Sequence, residues 1–178
     1  MEWLKTDGGA LIVIPEVIAS AWHGSDLYID IEQIERTGQD DDGLPDCDYN
    51  RTYSVDGWIA TIPVGDGDAL VVSTEHSATA IWQEHNETCI IEWFYADSDE
   101  QLMAHFRQTL LRGEFETSAV FRHPGGRLIL MSAADVISDP VYDVIYFELP
   151  VGEYQMRTIY VDDDTVSYVA HRFGEAKS

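Results

Sequence analysis

Apolar positions along the chain gather into short runs, mostly alternating or β-branched, and Gly, Pro, Asp and Asn separate them; that rhythm predicts strands. Ala10 to Ile14 is one such run, and Gly8-Gly9 before it supplies the flexible backbone of a tight turn. At Pro15 the period changes. Val17, Ile18, Ala21 and Trp22 fall on one face, Pro15 suits a first helical position and Gly24 a C-terminal cap, so a short helix is expected near residues 15–23. Tyr53 to Ile62 and Asp68 to Ser73 read as strands flanking Pro63-Val64-Gly65-Asp66-Gly67, and Thr79 to Gln83 with Thr88 to Tyr95 as a second hairpin. A longer helix follows near 99–112, with Ser98 as N-cap, Gln101 completing a capping box, Leu102, Phe106 and Leu110 on one face, and Gly113 as its stop. The remaining strands are Glu116 to Arg122, Arg127 to Met131, Tyr142 to Leu149, Glu153 to Val161 and Thr165 to His171.

These elements predict an α+β fold, predominantly antiparallel β, in one compact domain over residues 1–178. An internal echo suggests two related halves, 1–97 and 114–178, joined by helix 98–113. Gly8-Gly9-Ala10-Leu11-Ile12-Val13 is answered by Gly125-Gly126-Arg127-Leu128-Ile129-Leu130, and Pro63-Val64-Gly65 by Pro150-Val151-Gly152.

Composition changes this picture mainly through charge. The 178 residues carry 10 Lys and Arg against 33 Asp and Glu, a formal charge of −23, which argues against nucleic acid and anionic membranes as partners and favours a basic protein. Aromatics at 11% and the β-branched runs supply enough apolar surface for an ordered core. The N-terminus Met1-Glu2-Trp3-Leu4-Lys5 does not read as a signal peptide, so a cytoplasmic protein is expected. Cys47 and Cys89 form no metal-binding spacing, leaving a single disulfide between them as an open alternative. From Thr37 to Asn50 the chain turns to Gly, Asp and Pro, and the mutual repulsion of Asp40, Asp41, Asp42, Asp46 and Asp48 predicts an exposed acidic loop.

Motifs for catalysis are sparse. The sequence has no Gly-x-Ser-x-Gly elbow, and Gly65-Asp66-Gly67 lacks the Gly and Lys of a phosphate-binding loop. The six histidines make no helical metal pair; His76 and His85, flanked by Glu75 and Glu84, are the one cluster that could serve a metal- or carboxylate-dependent enzyme. Asp162-Asp163-Asp164 reads as a hairpin turn, because the alternating oxygens, central Gly and closing Glu of a calcium loop do not follow it. No catalytic residue, cofactor or metal is assigned. The strand aromatics are expected to be core, with a minority exposed as anchors for a partner. A structural subunit that pairs through an exposed strand edge is the third reading.

Trp3, Gly8 to Glu16, Trp22-His23-Gly24, Asp48-Tyr49-Asn50-Arg51, Ile62-Pro63-Val64-Gly65, Ala69 to Val72 and Trp93 to Asp99 together resemble the immunity protein 21 family. The likeness spans roughly Trp3 to Leu102, with Asn50 and Thr52 departing from the family pattern. It implies a bacterial protein of a polymorphic toxin system that neutralises a cognate toxin in the producing cell. On that reading the acidic loop, Asp40, Asp41, Asp42, Asp46 and Asp48, is the expected partner-binding surface for a basic toxin domain.

Overall fold

The computed structural model describes residues 1–6, 9–25, 47–72 and 78–175. Among these, ten strands form two five-stranded antiparallel sheets, as the strand-rich pattern predicts. The first sheet runs, edge to edge, β2 (Ile59–Val64), β3 (Gly67–Val72), β1 (Leu11–Pro15), β7 (Arg127–Ser132) and β8 (Ile145–Glu148). In the second the order is β4 (Thr79–Glu84), β5 (Glu87–Ala96), β10 (Val166–Glu175), β9 (Gly152–Asp162) and β6 (Glu116–His123). Two α-helices accompany them, α1 (Asp48–Arg51) and α2 (Asp99–Arg112).

The sheets pack face to face. Leu11, Val13, Leu70, Val72, Leu128, Leu130 and Phe147 from the first meet Ile90, Phe121, Met156 and Phe173 from the second in one buried cluster. Because side chains alternate along a strand, Ile12, Ile14, Val71, Ile129 and Met131 emerge on the opposite face of the first sheet, and Ala19 and Trp22 cover them. Both faces of β1 are therefore buried, which is why its sequence is apolar throughout. The outer face of the second sheet presents Cys89, Ile91, Tyr168 and Ala170 to Leu102, Met103 and Phe106 of α2. Ser98 Oγ caps that helix by accepting from the Gln101 N–H at 3.2 Å, and Gly113 ends it in the left-handed conformation, φ 71°.

The two copies of the echoed motif are neighbours at the centre of the first sheet, β1 against β7 with Val13 opposite Leu130. The hairpins β4–β5 and β9–β10 likewise meet at the centre of the second sheet through β5 and β10. Leu4 bridges to Thr79 of β4 much as β6 pairs with β9. Both sheets thus take strands from both halves of the chain. Across the sandwich the edge strands face one another: Thr61 Oγ1 of β2 donates to the Val120 carbonyl of β6 at 2.7 Å, and Gln83 Nε2 of β4 to the Glu148 carbonyl at 2.9 Å.

Several boundaries differ from the sequence reading. The helix expected at 15–23 is a 3₁₀ segment, Glu16–Ala21, that follows Pro15 at the end of β1. Within it only Ala19 is buried and Val17 is exposed; the next buried side chain, Trp22, comes three residues on, a spacing that a tight three-residue repeat fits. Trp22 lies just beyond, its indole N–H donating to the Ala133 carbonyl at 3.0 Å. Gly24, at φ 58°, sits so close to the Ala134 backbone that a Cβ would fall 2.4 Å from its oxygen, so tight packing adds to the backbone demand. The strand expected from Tyr53 begins only at Ile59, because Thr52–Ser54 is a 3₁₀ turn and Gly57 takes φ 86°. That expected from Tyr142 shrinks to β8, since Asp135 Oδ2 accepts the Tyr142 N–H at 3.1 Å and holds the chain in an irregular turn. The end of the expected acidic loop is helical, as α1. Cys47 and Cys89 are both free and buried, which removes the disulfide alternative.

Candidate functional site

The second sheet outreaches the first, and its inner face becomes accessible at one end of the sandwich. On β5, β9 and β10 the residues lying at two-residue steps from the core positions Ile90, Met156 and Phe173 toward that end are Glu92 and Phe94, Thr158 and Tyr160, and His171. Glu92 and His171 lie at the inner limit of this series, both wholly buried, with His171 Nε2 2.7 Å from Glu92 Oε1. The other ring nitrogen, Nδ1, is 2.8 Å from Thr158 Oγ1, which is 2.8 Å from Ser118 Oγ at the bulge of β6. Ser118 Oγ also lies 3.2 Å from the Met156 carbonyl, to which it can only donate. It therefore accepts from Thr158, which in turn accepts from His171 Nδ1–H. On the opposite side Nε2 meets the Glu92 carboxyl, so the buried ring of His171 is held at both of its nitrogens.

Beyond Thr158 the core opens into a cavity of about 710 Å³, the mouth of the sandwich, lined by Asp56, Trp58, Glu114, Glu116, Ser118, Thr158 and Tyr160 among others. Trp58, immediately before β2, stacks on Tyr160 with ring centroids 5.5 Å apart and planes 22° from parallel; Phe94 closes the group at 5.9 and 6.1 Å. These rings are not core. Trp58 is 38% and Tyr160 50% exposed, a large aromatic surface to leave in water. Asp56, Glu114 and Glu116 stand exposed round the rim, and among the described residues the lining contains no lysine or arginine. The arrangement offers stacking surface, side-chain hydroxyls and negative charge, and its exposed Trp and Tyr are of the kind that anchor protein interfaces.

The acids expected to bind a partner are placed as follows. Asp40, Asp41, Asp42 and Asp46 lie outside the described residues. Asp48 opens α1, where its Oδ2 accepts the His23 N–H at 2.8 Å and its Oδ1 the Arg51 guanidinium at 2.7 Å, and Arg51 also donates to the Pro63 carbonyl. Beside it the Tyr49 hydroxyl is pushed up to about 12, first by its hydrogen bond with Tyr53 and then by burial. Asp48 thus fastens α1 to the body of the protein. Of the histidine cluster, His76 and Glu75 lie outside the described residues; His85 forms a two-residue turn with Asn86, both at positive φ. Glu84 is held below the usual carboxylate range by Arg107, 2.8 Å away. No group of three His, Cys, Asp or Glu converges on a metal position among the described residues. Asp163 closes the β9–β10 turn by accepting from the Thr165 and Val166 N–H groups, which keeps its carboxyl below the ordinary range.

Sequence reasoning missed the mouth because Trp58, Phe94 and Tyr160 come from three separate elements and look like ordinary alternating core residues. The one available signal was Asp56-Gly57 before Trp58, a turn pair that places Trp58 immediately before the start of its strand.

Comparison with known proteins yields one family: a family model described as immunity protein 21 matches residues 2–167. No curated protein and no solved structure matches the chain.

Proposed function

Since the chain belongs to the immunity protein 21 family, we propose that it acts without catalysis, neutralising a cognate bacterial toxin by binding it directly through an acidic surface. The observation that supports this reading best is the mouth, where exposed Trp58 and Tyr160 are bracketed by Asp56, Glu114 and Glu116. Aromatic rings supply affinity at the centre of an interface, and surrounding charge steers a basic partner toward it. The toxin domain is accordingly basic, and the encounter takes place in the cytoplasm of the producing cell, with neither nucleic acid nor membrane as partner.

Asp40, Asp41, Asp42 and Asp46 act with the mouth by speeding association, while Asp48 fastens α1. Replacing Asp40, Asp41 and Asp42 with Asn is expected to slow association with the cognate toxin domain and to flatten its salt dependence, while the dissociation rate changes little. Stopped-flow association at two ionic strengths checks this, and unchanged kinetics would remove the loop from the interface.

A further inference from the structure

We infer that the mouth of the sandwich is a receptor for a single arginine side chain, presented by the toxin; this rests on the reading of the chain as a toxin-binding protein. Three features of the cavity converge on that occupant. The stacked pair Trp58–Tyr160, 22° from parallel and partly open to water, gives a flat π surface on which a planar cation can lie. Round it stand the carboxylates of Asp56, Glu114 and Glu116, none of them ion-paired among the described residues, whereas Glu16, Glu84, Glu87 and Glu153 elsewhere on the surface each hold an arginine. Along its lining, the Thr158 and Ser118 hydroxyls belong to a chain of hydrogen bonds ending on His171 and Glu92, so they are already oriented.

Other occupants fit less well. An anion would be repelled by three carboxylates, and the described acids make no three-ligand metal position. An apolar side chain would use the rings but desolvate the acids without compensation. A lysine would satisfy the charge, yet its ammonium is compact and strongly hydrated, while guanidinium is planar, weakly hydrated, able to stack and able to grip a carboxylate with two N–H groups at once. About 710 Å³ is ample room for that side chain with water around it.

The test uses the whole protein and N-acetyl-arginine amide as the probe, with N-acetyl-lysine amide and N-acetyl-norleucine amide alongside. The Trp58 indole N–H resonance, identified by its loss in Trp58→Phe, reports occupancy. The arginine compound is expected to shift it saturably, more tightly than the lysine compound, and the norleucine compound to leave it in place. Asp56→Asn/Glu114→Gln/Glu116→Gln, whose fold is checked by the dispersion of the remaining amide signals, should weaken the arginine response about tenfold or more. An immobile Trp58 signal, an equal response to norleucine, or an unaltered response in the triple variant would each overturn the assignment. Toxin binding by the same variants separates the two claims. If the toxin domain binds wild type and triple variant equally well, the arginine receptor is wrong and the immunity reading stands. If it does not bind wild type at all, the immunity reading fails and takes the toxin's arginine with it.

Discussion

Two aromatic groups pack against opposite faces of the second sheet and have opposite fates. Under α2, Trp82 meets Phe106 edge-on at 5.2 Å and 79°, and Phe106 meets Tyr168 in the same way at 6.2 Å. At the mouth, Trp58 and Tyr160 lie nearly parallel with Phe94 beside them. Phe106 and Tyr168 are fully buried, whereas Trp58 and Tyr160 keep much of their area in water. The difference lies in what covers each group: the first has a helix whose apolar stripe fits it, and the second only a rim of carboxylates. An aromatic surface of that size, left uncovered on so acidic a protein, remains available to a partner, while its buried counterpart is committed to stability.

The sharpest way to break this contrast is to truncate one ring from each group. Phe106→Ala is expected to cost about 3–5 kcal/mol in urea unfolding, the usual penalty for removing a fully buried Phe. Trp58→Ala should cost less than about 1 kcal/mol by the same measurement, because it opens no enclosed cavity. Equal losses would mean that the mouth is part of the core.

A smaller effect comes from His123, which lies buried with Nε2 3.1 Å from the Leu149 carbonyl and its ring stacked on Phe121. Burial lowers its pKa, so the folded protein keeps it neutral. The unfolded chain takes up the proton first, near pH 6.5, and the stability associated with His123 is present above that pH and lost as pH falls through it, at no more than about 1.4 kcal/mol per pH unit. Unfolding at pH 7.5 and 5.5 for wild type and His123→Gln isolates this term, and an equal fall in both proteins would contradict it.

The smallest effect is one of protection. Burial beneath α2 pushes the Cys89 thiol up to about 12, so iodoacetamide at pH 8 should leave it unlabelled until the helix detaches. Mass mapping of labelled peptides reads this out, and rapid labelling of Cys89 in the native protein would show α2 to be loosely held.

The same contrast explains what was legible in the sequence. Buried elements announce themselves through period and capping: Leu102, Phe106 and Leu110 between Ser98 and Gly113 define α2, and the wholly apolar β1 reads directly as a strand. Local chemistry also identified the Asp163 turn. What could not be read depends on contacts distant in sequence. Trp22 fixes its segment by reaching Ala133, 111 residues away, and so makes a 3₁₀ turn of an expected helix. Trp58 and Tyr160 follow the same alternation as core residues, and only the extent of the opposing sheet decides that they end outside it. Glu92 and His171, distant in sequence and diagonal across β5 and β10, gave no sign that they would meet.

The most direct test is the dissociation constant for the proposed cognate toxin domain, measured for wild type, for Trp58→Ala/Tyr160→Ala and for Glu100→Gln, a control on α2, which covers the outer face of the second sheet. At least about a thirtyfold weaker complex is expected for the double variant, the loss typical of a central aromatic anchor, and wild-type affinity for the control. Wild-type affinity for the double variant, with its fold intact, would contradict that expectation and move the interface away from the mouth.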